Sequence, residues 1–273
     1  MNRPVLFALG QTRVMGILNT TPDSFSDGGL WSDHDRALRH AVSMAEAGAD
    51  IIDVGGESTR PGADDVPVQQ EMDRVVPVVE SIVKATAVPV SVDTSKPEIM
   101  EAAVRAGAGM VNDVYALRRA GALEMAAKLD VPVCIMHMLG QPRDMQSAPQ
   151  YDDVESEVTD FLSERARACE AAGISPDRIL IDPGFGFGKT LEHNIQIFRA
   201  LPRFCTMGYP VLVGVSRKAM LGSLTSRSVE ERGAASVTAA VLASQAGAAI
   251  VRVHDVAETV DALKIAHALA SCP

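Results

Sequence analysis

A helical pattern that ends in Ala-Gly and passes at once toward an apolar strand recurs four times in the chain: Ala47-Gly48 before DIIDVGG, Ala106-Gly107 before MVNDV, Ala172-Gly173 ahead of ILIDPG and Ala246-Gly247 before IVRVHD. Each Gly suits the left-handed position that terminates a helix. Between these junctions lie eight short, β-branched apolar runs, beginning near Val14, Asp50, Pro89, Met110, Val131, Ile179, Pro210 and Ala249, each followed by a helical stretch. Val68, Met72, Val75, Val79 and Ile82 repeat at helical spacing, as do Leu191, Ile195, Phe198 and Leu201, and Pro97 opens a further helix. The strands read as continuous apolar runs rather than alternating ones, which is the pattern of a parallel sheet buried on both faces. Eight strand-helix units in 273 residues predict a single (β/α)8 TIM barrel covering 1–273, with no Pro/Gly/Ser linker to divide it.

Composition narrows the function. Apolar residues make up 47% of the chain, which excludes a disordered protein, and no run approaches the ~20 apolar residues of a membrane span. Met1 to Gly10 lacks a secretory pattern, so a cytoplasmic location is expected. Thirty-five acidic residues against 25 basic ones argue against a nucleic-acid partner, so any anion site must be local. Cys134, Cys169, Cys205 and Cys272 form no metal-ligand spacing and read as reduced thiols, with Cys134 in the core.

In a barrel of this kind the residues that close the strands converge on one mouth. Here they are polar: Asn19, Asp53, Asp93, Asn112, Asp113, His137, Asp182, Ser216, Arg217, Lys218, Arg252, His254 and Asp255. An Asp after a strand is also a common turn former, and for Asp53, Asp113 and Asp255 both readings stand. Arg217, Lys218, Arg252 and His254 make a cationic corner suited to phosphate or pyrophosphate. Asp93, Asn112 and Asp182 offer acceptors for the donor-rich edge of a flat amino-heterocycle. The longest connections, 20–32, 57–67 and 139–152, follow strands and are candidate lids. The stretch 182–190, DPGFGFGKT, satisfies neither a Walker A loop nor a GxGxxG fingerprint, so its glycines are expected to let backbone pass close to a ligand or a neighbouring strand. His34, His40, His193 and His267 lie in or beside helical segments and read as surface or packing residues.

The segments MGILNTTPDSFSDGG (15–29), DIIDVGGESTRPGA (50–63), SVDTSKP (91–97), NDV (112–114), IDPGFGFGK (181–189), SRK (216–218) and RVHDV (252–256) resemble the dihydropteroate synthase family of bacterial folate biosynthesis over nearly the whole chain. The resemblance implies a barrel, commonly a cytoplasmic homodimer, that joins 6-hydroxymethyl-7,8-dihydropterin pyrophosphate to p-aminobenzoate with Mg2+ and is inhibited by sulfonamides. It implies catalytic roles for Asp93, Lys218, Arg252, His254 and Asp27. It further implies substrate contacts from Asp93, Asn112, Asp182, Lys218, Arg252, Thr59, Arg60, Pro61, Ala219, Met136 and Phe187, and a metal ligand in Asn19. The family commonly carries Ser where this chain has Ala219, one hydroxyl fewer toward the p-aminobenzoate carboxylate. Two alternatives follow from the same residues: a pterin-binding paralogue without catalysis, and a methyltetrahydrofolate-binding methyltransferase.

Overall fold

The computed structural model describes residues 11–21, 30–58, 62–141, 143, 145–146 and 148–270, with the main chain alone at 30–32. Eight strands alternate with helices: β1 (Arg13–Asn19), β2 (Ile51–Gly55), β3 (Val90–Asp93), β4 (Met110–Asp113), β5 (Val133–Met136), β6 (Ile179–Asp182), β7 (Leu212–Val213) and β8 (Ile250–Val253). They form one parallel sheet in the order β6-β5-β4-β3-β2-β1-β8-β7, and a parallel bridge from Ile181 to Val211 joins its two edges. The expected barrel is therefore present.

Two strands start two residues later than their apolar runs, β5 at Val133 rather than Val131 and β7 at Leu212 rather than Pro210. Proline supplies the reason, since it has no N–H to give a ladder. The carbonyls of Pro89, Pro132 and Pro210 are nonetheless used, accepting from Ile52, Val111 and Ile181 at 3.0, 2.9 and 3.0 Å. The four junction glycines adopt φ between +96° and +114°. The residue after each donates to the carbonyl five back, as in Ala49 to Met44 and Ala248 to Ala243, which closes the helix and launches the strand.

Helix α2 (Val68–Ala85) buries Val75, Val78, Val79 and Ile82 against the sheet, while Val68 is exposed at its first turn. In α6 (Leu191–Arg199) the buried positions are Asn194 and Ile197, and Leu191 faces solvent, so the apolar stripe read from the sequence is rotated. The cause is Asn194, whose side chain is recruited to the preceding loop. Among the described residues no helix is long and apolar enough to cross a membrane. Cys134 is fully buried, and Cys134, Cys169 and Cys205 are free thiols.

Side chains alternate across each strand, so the barrel interior is built in layers. The lower layer is apolar, from Met15, Ile51, Met110, Cys134, Leu180, Leu212 and Ile250. One pleat further along the strands stand Asp53, Asp93, Asn112, Asp182 and Arg252, at the carboxyl end.

Candidate active site

Arg252 reaches across the mouth from β8. Its Nε donates to Asp53 Oδ2 at 2.7 Å and its Nη2 to Asp93 Oδ2 at 2.8 Å. Asn112 Nδ2 donates to the same Asp53 oxygen at 3.0 Å. Asp53 pairs in register with Ser91 and Asp93 with Asn112, so β2, β3, β4 and β8 together deliver one hydrogen-bonded cluster. On the far side Asp182, at the end of β6, accepts the Gly184 N–H at 2.7 Å. Lys218 Nζ lies over the Phe187 ring, 4.1 Å from its centroid. Val114, Met136, Met138, Met145 and Phe187 form an apolar wall beside these groups. A cavity of about 150 Å³ opens next to Asp93, between Glu57, Thr94, Ser95, Tyr115 and Gln141.

Burial sets the electrostatics. It raises the Asp93 carboxyl to about 7, with Arg252 opposing the rise and Asp53 adding to it. Asp182 is raised to about 6 by burial, against the Gly184 N–H and nearby cations. Burial and Arg252 together lower Lys218 to about 8. His254 falls to about 4, by burial and then by Arg252 and Arg217, so its ring is neutral at pH 7; its Nδ1 meets Ser216 Oγ at 2.9 Å.

The cationic corner read from the sequence is consequently weaker than its residue types suggest. Arg217 Nη2 pairs with Asp255 Oδ1 at 2.5 Å, Arg252 is held by two carboxylates, and His254 is uncharged. Among the described residues neither Lys218 nor the neutral His254 has a carboxylate at ion-pair distance, which leaves Lys218 as the one charged member of the four without such a partner. The three ambiguous aspartates separate cleanly. Asp113 is a turn former, accepting the Tyr115 and Leu117 N–H groups at 2.8 Å each, and Asp255 is the partner of Arg217. Asp53 belongs to the mouth. Asn19 closes β1, opposite Gly55 of β2, and Ala219 is exposed at the start of α8 (Ala219–Thr225). Asp27, Thr59, Arg60 and Pro61 lie outside the described residues, as does Cys272.

Other side chains that position the site went unread in the sequence. Lys96, buried at the start of α3 (Pro97–Arg105), donates to Glu57 Oε2 at 2.8 Å and Glu71 Oε2 at 2.5 Å, while Thr94 Oγ1 donates to Glu71 Oε1 at 2.5 Å. This ties the base of the loop after β2 to the end of β3. The glycine loop after β6 is pinned from three sides. Lys189 Nζ donates to the Gly184 carbonyl at 2.9 Å and meets His137 Nδ1 at 2.8 Å, Tyr151 Oη donates to the Gly188 carbonyl at 2.8 Å, and Asn194 Oδ1 accepts the Gly186 N–H at 2.8 Å. Burial takes His137 to about 2 and Lys189 to about 7, so the His137 ring is neutral. Gly184 and Gly188, at φ +72° and +64°, run against the backbone of His137 and Leu139, where a side chain would collide. The glycines thus serve the approach to a neighbouring strand's loop. The only available signal was the odd Lys at the end of GFGFGK.

A model of the family described as pterin binding enzyme matches residues 15–254. The dihydropteroate synthase of Escherichia coli K12 is 51% identical over 96% of this chain and 93% of its own length. The chain belongs to the dihydropteroate synthase family. With that membership it is an enzyme, a transferase of folate biosynthesis. A Xanthomonas albilineans dihydropteroate synthase solved with 4-aminobenzoic acid superposes with a TM-score of 0.92 at 57% identity, covering 96% of this chain and 94% of that one. A structure of the X. albilineans enzyme in complex with 7,8-dihydropteroate gives a TM-score of 0.88 at 50% identity, covering 97% and 96%.

Proposed function

We propose that the mouth of this barrel joins 6-hydroxymethyl-7,8-dihydropterin pyrophosphate to p-aminobenzoate by a dissociative substitution. The observation that carries the reading is the convergence of Asp93, Asn112, Asp182 and Lys218 around one opening, beside the apolar wall of Met136 and Phe187. The acceptors suit the N–H groups of a pterin, and the wall suits its faces. The methylene C–O bond breaks first, and both its electrons leave with pyrophosphate. The electron-rich ring carries the resulting positive charge. Once Asp93 is ionised, two carboxylates against one guanidinium at Arg252 leave this part of the mouth net negative, which favours a cation-like ring. The arylamine nitrogen of p-aminobenzoate then forms the new C–N bond and loses a proton. A neutral nucleophile of this kind needs orientation more than a base; Asp27, Thr59, Arg60 and Pro61 are proposed to shape its pocket, with Ala219 at the rim.

Among the described residues no three His, Cys, Asp or Glu side chains gather as a metal cage. Mg2+ typically keeps several waters and takes one or two protein ligands together with phosphate oxygens, so the single amide of Asn19 fits an ion that comes with the pyrophosphate. An ion held there would neutralise charge on the leaving group, and Arg252 and the neutral His254 are proposed to serve the same end. The reading includes a cytoplasmic homodimer and sulfonamides competing in the p-aminobenzoate pocket. Helix α9 (Gly233–Gln245) carries no charged residue, and Leu242, Ile265 and Leu269 are exposed on α9 and α10 (Val256–Ala270), which supports a second copy as their cover.

The test is pyrophosphate release from the pterin substrate with Mg2+, with and without p-aminobenzoate, alongside dihydropteroate formation. Product that depends on p-aminobenzoate is expected. Pterin binding without product would instead favour a paralogue that has lost catalysis. Within an active enzyme, Asp93→Asn is expected to lower kcat more than pterin affinity; a change in affinity alone would remove Asp93 from charge stabilisation.

A further inference from the structure

Asp53 is costly to bury, since its side chain has no exposure to solvent. Among the described residues it makes no hydrogen bond to backbone. Both of its protein bonds fall on one oxygen, Oδ2, and both come from site residues, Arg252 Nε and Asn112 Nδ2. Its other oxygen, Oδ1, is buried with no protein donor. Asp113, one position along from Asn112, behaves in the opposite way and spends its carboxylate on two backbone N–H groups. Asp53 therefore adds nothing to the local backbone that would explain its burial, and its contacts point only at the site.

An amide side chain can present either its carbonyl or its NH2 to a ligand, and packing alone barely distinguishes the two. When Asn112 gives Nδ2 to Asp53, its acceptor Oδ1 is the atom left for a ligand. The same Asp53 oxygen fixes the Arg252 Nε edge, so Nη2 is delivered to Asp93 rather than swinging toward solvent. We infer that Asp53 is a positioning residue that sets the polarity of the heterocycle pocket, holding Asn112 as an acceptor toward the ring and Arg252 against Asp93. The inference rests on the pterin reading of this site and adds to it the group that makes the pocket accept N–H donors.

The test uses a carboxylate's symmetry. Asp53→Ala removes the acceptor that orients Asn112, and 6-hydroxymethylpterin binding to the full-length protein, measured by calorimetry, should weaken by about tenfold or more. Asn112→Asp places a group that accepts whichever way it turns. In the otherwise unchanged protein it sets a carboxylate against Asp53 and should weaken binding. In the Asp53→Ala background it should restore binding to within about threefold of the original, because orientation no longer matters and the local charge is regained. A role for Asp53 in packing alone predicts no such reversal of sign. Wild-type affinity in Asp53→Ala, or a folded double variant no better than Asp53→Ala, would overturn the inference. An unaltered protein that binds no pterin would instead remove the pterin reading on which the inference rests. Should Asp53→Ala fail to fold, the Asn112 side-chain NH2 resonances of the unaltered protein, assigned by their loss in Asn112→Asp, decide the matter: slow exchange with solvent is expected, and fast exchange overturns it.

Discussion

The floor and the mouth of this barrel are built from the same strands, one pleat apart, and they oppose each other energetically. The floor packs Met15, Ile51, Met110, Cys134, Leu180, Leu212 and Ile250 with exposures of 0–1%. The mouth, on Asp53, Asp93, Asn112, Asp182 and Arg252, buries ionisable groups whose charged forms burial disfavours. Stability is concentrated below and chemistry above. The difference teaches that the fold tolerates a destabilised upper layer because the lower layer and the helix-facing side of the sheet are uniformly apolar.

The sharpest way to separate the two layers is Asp182→Asn. It removes a carboxylate that burial raises to about 6, while leaving an oxygen for the Gly184 N–H. Synthase kcat/KM is expected to fall by about 10²–10³-fold, and the melting temperature at pH 8 to hold or rise. A clear drop in melting temperature would show that the mouth supports the fold after all. Leu180→Ala, its counterpart two residues earlier in the floor, is expected to cost about 2–5 kcal/mol, seen as a lower Tm, with kcat of the folded protein within about threefold of the original. Loss of kcat without loss of Tm would break the division from the other side.

Much of the floor was readable because a parallel strand buried on both faces is simply an apolar run, and Ala-Gly marks where each helix stops. The mouth was readable as residue types at strand ends, and Asp93, Asn112, Asp182 and Arg252 do converge. Their pairing was not readable. The string RVHD gives no sign that Arg252 turns toward two carboxylates instead of outward to an anion, because that choice is made by Asp53 and Asp93, 199 and 159 residues away. Glu71 and Lys96 were hidden for a related reason. Charged residues on amphipathic helices are ordinarily solvent-facing, and only the three-dimensional meeting with Glu57 shows them to be a buried strut. Asn194 displaced the apolar stripe of α6 in the same way, by binding the glycine loop.

The pH response follows from the same layer. Asp93 and Asp182, raised to about 7 and about 6, hold protons in the folded protein that the unfolded chain has already released above its ordinary carboxylate range. The folded state thus binds more protons in that window, and stability falls as pH rises from about 4 to about 7. Melting temperature against pH should show this slope, flattened in Asp93→Asn and Asp182→Asn. Activity should run the other way on its acid side, kcat/KM rising toward pH 7 as Asp93 ionises and declining above about 8 as Lys218 loses its proton. Lys218→Arg should remove the alkaline decline; a decline that persists would assign it to another group.

The smallest expected effect lies at the rim, where neither layer is disturbed. Ala219 is exposed and opens α8 beside Lys218, so a hydroxyl added there displaces no core atom. The resemblance to the family read from the sequence implies Ser at this position. Ala219→Ser should therefore lower the KM for p-aminobenzoate by about fivefold, the equivalent of about 1 kcal/mol from one hydrogen bond. The KM for the pterin substrate and the melting temperature should stay where they are. In the proposed reading the pterin substrate is held by Asp93, Asn112, Asp182 and Lys218, and none of those contacts passes through residue 219. A change in pterin affinity on Ala219→Ser would mean that the rim and the buried cluster communicate through Lys218, and the division between a rigid floor and a separable mouth would need a third, coupled layer.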